Sequence, residues 1–221
     1  QCLPFFPGAM VRYVGGFHRM SDALRRPQYL LATMMSPIGS FGDKLKVLRL
    51  RRDALRRQLC GQAGGGERTT LEALRVYGFS PAMQQRFFQP FLSGVFLDQA
   101  LSTPCRLFEL VWAAFSRGDI ALPQQGMGAI ASQLAATLPT ESIRLNAAVS
   151  HLDGTTAVLA SGERLAADVL VLATDDATAA TLRGDSRAAA PGRDAICLYF
   201  DAPAPPVRGP WLILNGDGQG S

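Results

Sequence analysis

The 221-residue sequence predicts a mixed α/β protein, and three observations carry that expectation. Helical signals dominate as far as Phe115. Short strand candidates separated by tight turns follow Leu138. Within that second half, Val169 to Ala173 of "ADVLVLATDD" is a continuous apolar run, the composition of a strand buried on both faces of a parallel sheet.

Taken in order, Ala9 to Val14 reads as a short strand and Gly15-Gly16 as the turn after it. Helical periodicity runs from Pro27 to Leu59 and is interrupted at Pro37 and Gly39. Gly61 is expected to end that helix, with Gly64 to Gly66 as a flexible link. Thr69 or Thr70 caps the next helix, "LEALRVYG", which Gly78 closes. Ser80 and Pro81 open "SPAMQQRFFQPFLSGVFL" with the favoured pairing of Ser at the N-cap and Pro at the first helical position, and Thr103-Pro104 repeats the device.

Past Leu138, Ile143 to Leu145, Val149 to Leu152 and Ala157 to Leu159 are strand candidates, with Asp153-Gly154 and Ser161-Gly162 as turn signals in a small meander. Thr174 then sits at the C-terminal end of the Val169 to Ala173 run. Ligands bind at that end of an open α/β sheet, which makes Ala173, Thr174 and Asp175 the cofactor contacts that pattern supplies. A plain strand-to-helix connection, with Asp175 or Asp176 capping "ATAATL", stays open beside that reading. "AICLYFDAP" and "WLILNG" add two strands around a Pro-rich segment. Because the chain opens at Gln1 and finishes on a strand with nothing after it to pair, it reads as a fragment.

Composition narrows the function. A hydrophobic content of 48% is that of a globular chain, and no apolar run reaches the roughly 18 to 20 residues a bilayer demands. Cys2, Cys60, Cys105 and Cys197 are too scattered for a zinc site or a dense disulfide framework, so buried free thiols and no metal are expected. His18 and His151 read as structural, and no catalytic trio is discernible. The formal charge is +4, and Lys44 and Lys46 are the only lysines among 22 basic residues. Several of those residues gather in "DKLKVLRLRRDALRRQLCG". There Leu45, Leu48, Leu55 and Leu59 recur at helical spacing while Lys44, Arg49, Arg52 and Arg56 occupy other sectors. This is an amphipathic basic helix over Lys44 to Arg57, read either as a solvated face over a core or as an interaction module for acidic lipid or nucleic acid. No nucleic-acid partner is expected; a cytoplasmic setting is, with peripheral membrane contact and homo-oligomer formation left open.

"GMGAIA", Gly126 to Ala131, spells a dinucleotide-binding turn. The residues before it, "SRGDIALPQQ", are poor material for the buried strand such a turn requires, so a helix-initiating turn is the better reading.

Six segments in order, "FFPGAMVRYVGGFHRM", "SPIGSFGDKLKVLRL", "RFFQPFLSGVFL", "ALPQQGMGAIASQLA", "IRLNAAVSHL" and "ADVLVLAT", resemble the flavin-dependent amine oxidase superfamily, particularly its phytoene-desaturase-like and protoporphyrinogen-oxidase-like branch. The resemblance implies a FAD-dependent oxidoreductase acting on a small apolar or amine substrate. It implies the central portion of a FAD-binding Rossmann-like domain joined to a largely helical substrate domain. Residues 1–123 would form the substrate domain, 124–190 the central part of the FAD domain, and 191–221 strands returning to the substrate domain. By position Val149 would meet the adenine ring through its backbone, and Ala173, Thr174 and Asp175 would lie beside the cofactor. Phe91 and Phe96 would line an apolar substrate pocket. The catalytic residues are unknown, the flavin carrying the chemistry. The family's pyrophosphate loop lies on a strand this sequence does not contain, so the fragment alone is expected neither to bind FAD nor to be active.

Overall fold

A computed structural model of the chain describes residues 1–22, 25–57, 60, 67–185 and 192–218. The expected helix end at Gly61, the link at Gly64 to Gly66 and the stripe residue Leu59 lie outside the described residues. Helices and small sheets alternate as a mixed α/β chain. The chain divides into two compact units, Gln1–Gly126 with Ala195–Ser221, and Met127–Asp194.

In the first unit β1 (Cys2–Pro4) is followed by a hairpin of β2 (Gly8–Tyr13) and β3 (Gly16–Ser21). Its two-residue loop places Val14 and Gly15 at φ of 49° and 73°, the left-handed pair that matches the twist of the strands. Gly8 has φ of 127°, and a Cβ there would stand 2.4 Å from Met20 O, so glycine is what lets the hairpin begin. The helices are α1 (Leu30–Met35), α2 (Phe41–Leu55), α3 (Thr70–Val76), α4 (Pro81–Met83), α5 (Gln89–Phe96) and α6 (Cys105–Arg117). A π turn over Gln84–Phe88 joins α4 to α5. β4 (Ala121–Pro123) closes this stretch antiparallel to β1. The core packs Phe88, Phe108, Leu74 and Leu92, all fully buried, against Val11 of β2.

Local chemistry sets these helix boundaries. Ser40 and Asp43 form a capping box on α2, and Thr69 and Glu72 form another on α3. Ser80 caps α4 with Pro81 after it. The Thr103-Pro104 device does not repeat: Pro104 is the N-cap of α6 without a side-chain bond, and the Thr103 hydroxyl donates to Asp98 Oδ2 at 2.9 Å. The charged acceptor holds the hydroxyl more strongly than a helix N–H would.

The buried sector of α2 is also not the expected one. Leu45 and Leu48 are exposed, whereas Asp43, Lys44, Leu50 and Ala54 are buried. Lys44 Nζ donates to Met34 O at 2.8 Å and Ser36 O at 2.6 Å, satisfying carbonyls that α1 leaves open at its C-terminal end. Asp43 accepts from the Ser80 N–H at 2.9 Å and the Ser80 hydroxyl at 2.6 Å, tying α2 to the start of α4. Two neighbouring charges that bind helix ends have turned the helix away from its leucine stripe.

The thiols correct a further expectation. Cys105, the first residue of α6, is disulfide-bonded to Cys60, and the free cysteines Cys2 and Cys197 are exposed. The "WLILNG" strand appears as β8 (Leu212–Asn215), and it does pair: it runs parallel to β2, Val11 opposite Leu214. "AICLYFDAP" forms no strand, and Ile196, Leu198, Tyr199 and Phe200 are exposed. That run finds no sheet edge among the described residues to complete its backbone hydrogen bonds.

In the second unit α7 (Gly128–Ala135) follows Gly126, whose φ of 81° makes the turn. A meander of β5 (Val149–Asp153), β6 (Thr156–Leu159) and β7 (Arg164–Ala166) forms one antiparallel sheet in that order. The Asp153-Gly154 turn links β5 to β6 as the sequence predicts, with Gly154 at φ of 58°. Helix α8 (Asp176–Arg183) packs on the meander, and Ala179 and Ala180 are buried, as are Val158 and Leu159. Two expected strands are missing. Ile143 to Leu145 and Val169 to Ala173 have no strand partner, and Val169 and Val171 are 76% and 80% exposed. A two-faced buried strand needs neighbours on both edges and cover on both faces, and the described residues supply neither. No helix among the described residues is long and apolar enough to cross a membrane.

Candidate substrate cavity

The two aromatic stripes that the helical pattern places on α5 and α6 meet inside the first unit. Phe87 and Phe91 are one turn apart, and Trp112 and Phe115 lie on one side of α6. Phe91 stacks on Phe87 with centroids 6.0 Å apart, meets Phe115 at 5.2 Å and turns its edge to Trp112 at 6.1 Å. These four rings form one wall of a partly open cavity of about 160 Å³. Gly8 and Ala9 of β2, Met20 and Ser21 of β3, and Val47 and Leu48 of α2 complete the lining.

One end of the cavity is charged. Arg51 Nη1 donates to Asp22 Oδ2 at 2.6 Å while its Nη2 donates to Ser116 O at 3.0 Å. Arg25 donates to Gly118 O at 2.7 Å and Ser116 O at 3.1 Å. The two guanidiniums therefore clamp the C-terminal carbonyls of α6 to Asp22 at the end of β3, with the positive charges where the helix dipole favours them. Burial lowers the Lys44 ammonium from its ordinary value, with Asp43 opposing that shift. Burial alone would raise the Asp43 carboxyl, but hydrogen bonds from Ser80 and Ser40 outweigh it and hold the group at about 2. The Trp112 indole N–H is buried and finds no hydrogen-bond partner among the described residues.

Of the two substrate-contact candidates, Phe91 lines the cavity and Phe96 is buried in the core and does not. Sequence reasoning placed Phe87 within the aromatic stretch "RFFQPFLSGVFL" but passed over Trp112, Phe115 and the Arg25–Asp22–Arg51 clamp. The rings were legible as helical stripes in "QQRFFQPF" and "FELVWAAF"; the clamp joins residues far apart in sequence and left no signal. A second concavity of about 480 Å³ is larger but lies under Gln84, Gln85, Gln89 and Gln99. The smaller cavity is the better site, because its apolar walls and few convergent polar groups are what a buried small-molecule site requires.

The cofactor candidates lie in the second unit, each exposed to solvent. Val149 opens β5, the edge strand of the meander, opposite Leu159 and beside a bulge. Ala173 and Thr174 lie in extended chain before α8. Asp175 is the N-cap of α8, its Oδ1 accepting the Thr178 N–H at 2.9 Å. That bond supports the capping reading for its side chain, and hydrogen bonds to Thr178 lower its carboxyl.

The apolar walls of the cavity suit chemistry supplied by a bound redox cofactor. The chain matches the model of the flavin containing amine oxidoreductase family over residues 7–199, and it belongs to that family. No curated protein and no solved structure matches it. FAD is the cofactor of full-length members of the family. The residues present fit that group only in part. The β5 edge offers backbone to a ring, but the Gly126 turn follows β4, a short and mostly exposed strand, not the buried strand that a pyrophosphate loop requires.

Proposed function

We propose that the chain forms the substrate-holding part of a FAD-dependent oxidoreductase, and that the aromatic cavity of the first unit receives the apolar part of its substrate. The single observation that carries this reading is the cavity itself, four rings wide on one wall and closed by a charged clamp at one end. When bound, flavin supplies the acceptor for a hydride equivalent. The chain's own residues hold the substrate still, exclude water from it and set its depth by the Arg25–Asp22–Arg51 clamp. In the same reading Val149, Ala173 and Thr174 contribute backbone to the cofactor side. The exposed apolar runs at 169–173 and 195–200 support the view that this is the central part of a longer flavoprotein, in which other segments supply their strand partners and the pyrophosphate loop. Several cations of the basic helix are already engaged within the first unit. Lys44 is buried, Arg51 is clamped to Asp22, and Arg49 and Arg52 pair with Asp53.

The test compares Phe91→Asp with Phe96→Asp in flavin-loaded enzyme, following bleaching of the flavin by a panel of amines and apolar C–H donors. The expected result is that Phe91→Asp slows flavin reduction at least tenfold with flavin content unchanged. Phe96→Asp is expected to lower stability and flavin content together. Parallel losses of rate and flavin in the Phe91 variant would show a collapsed core instead of a substrate wall.

A further inference from the structure

The charges around the cavity discriminate between the two substrate classes that the family admits. Of the two carboxylates in the lining, Asp22 is held by arginine, 2.6 Å from Arg51 and 3.7 Å from Arg25, and Asp119 is exposed to solvent 3.5 Å from Arg25. The cations are engaged as well. Arg25 and Arg51 donate to backbone carbonyls at the end of α6, and Lys44 donates to Met34 O and Ser36 O. Asp43, fully buried, lies outside the lining and accepts hydrogen bonds from Ser40 and Ser80. Three cations and two carboxylates therefore line the cavity, and each cation already donates to backbone carbonyls.

A protonated amine entering this space would lose its hydration and find no buried carboxylate free to pair with it. The ring wall offers it a cation–π attraction, which is weaker than the cost of desolvating an ion in an apolar site. A carboxylate would meet the same cost, at guanidiniums that already donate to Asp22, Ser116 O and Gly118 O. An uncharged group meets neither obstacle. The volume sets its size, since about 160 Å³ is close to the roughly 150 Å³ cavity that takes up benzene.

Resting on the reading of the cavity as the substrate site, we infer that it accepts an uncharged hydrocarbon or aryl group one ring wide, either a whole molecule or the end of a longer apolar one. An amine enters only in its deprotonated form.

Toluene, benzylamine and benzoate share a shape and differ in charge near neutral pH, which makes them the probes. Each is titrated into the full chain while tryptophan emission is followed, with Trp112→Phe identifying the signal that comes from the cavity wall. Toluene should bind saturably and at least tenfold more tightly than either ion. Benzylamine should gain affinity as pH is raised toward its own pKa. Filling the space with Val47→Phe should weaken toluene at least tenfold; should that variant not fold, the ligand series on the unaltered chain still decides. Benzylamine or benzoate binding as tightly as toluene at neutral pH, with the signal lost in Trp112→Phe, would overturn the uncharged class and leave the cavity as the site. Silence from all three probes would overturn the site together with the class.

Discussion

The two units differ in how much of their own apolar surface they bury. In the first, Phe88, Phe108, Leu74 and Leu92 are fully enclosed by helices that pack on the β2–β3–β8 sheet. In the second, the buried apolar residues are Val158, Leu159, Ala179 and Ala180, small side chains between one meander and one helix. Its ion pairs among the described residues, Arg144 with Glu163, Arg164 with Asp153 and Arg183 with Asp185, lie on the surface, where such pairs add little. The comparison shows that an apolar run is only a candidate strand until something pairs with it. "WLILNG" became β8 because β2 presented an edge, whereas Val169 to Ala173 found none and stayed exposed.

The largest expected effect follows from that difference. Phe88→Ala removes a ring packed against Phe79 at 4.7 Å and Trp112 at 5.6 Å, and should cost about 3 to 5 kcal/mol of the first unit's stability. Val158→Ala in the second unit should cost about 2 kcal/mol or less, because it removes only two methyl groups from a thin core. Denaturant titrations that resolve the two units would check this. Equal losses would mean that the second unit has a better core than its side chains indicate.

Legibility followed the same line. Elements specified locally were readable: the capping residues Thr69 and Ser80, the turn at Gly15, and the Asp153-Gly154 turn each act within four residues of sequence. Elements that depend on distant partners were not. The leucine stripe of α2 gave the wrong buried face because Lys44 and Asp43 bind the ends of other helices, which periodicity does not record. The disulfide from Cys60 to Cys105 spans 45 residues and is fixed only when α6 has docked. Of the site, Phe91 was readable as an aromatic residue on a helix, while its distinction from Phe96 required knowing which side of α5 faces the sheet.

A second, smaller effect sharpens the comparison through pH. Asp43 is held at about 2 against an ordinary value of 3.8. A depressed carboxyl stabilises the fold above its unfolded pKa and stops doing so as pH falls through its folded one. The first unit should therefore lose about 2 kcal/mol between roughly pH 4 and pH 2 from this group. In Asp43→Asn that slope should flatten, with lower stability at neutral pH because the Ser40 and Ser80 donors lose a charged acceptor. Thermal unfolding as a function of pH reads both, and an unchanged slope in the variant would assign the acid sensitivity to another carboxylate.

The smallest expected effect belongs to Asp175, and it decides what that residue does in the second unit. Its carboxylate accepts the Thr178 N–H at 2.9 Å and the Thr178 hydroxyl at 2.6 Å, which is the work of a helix cap. Asp175→Ala leaves the first-turn donors of α8 to solvent, so the Thr178 amide should exchange with deuterium several-fold faster. Asp175→Asn, still an acceptor, should restore most of the protection. Because α8 packs on β5 through Ala179 and Ala180, loosening its first turn should also be felt in β5 amides. The core of the first unit should not change. If neither variant alters exchange at Thr178 while flavin-loaded enzyme loses cofactor in both, the side chain serves the flavin and its capping bond is incidental.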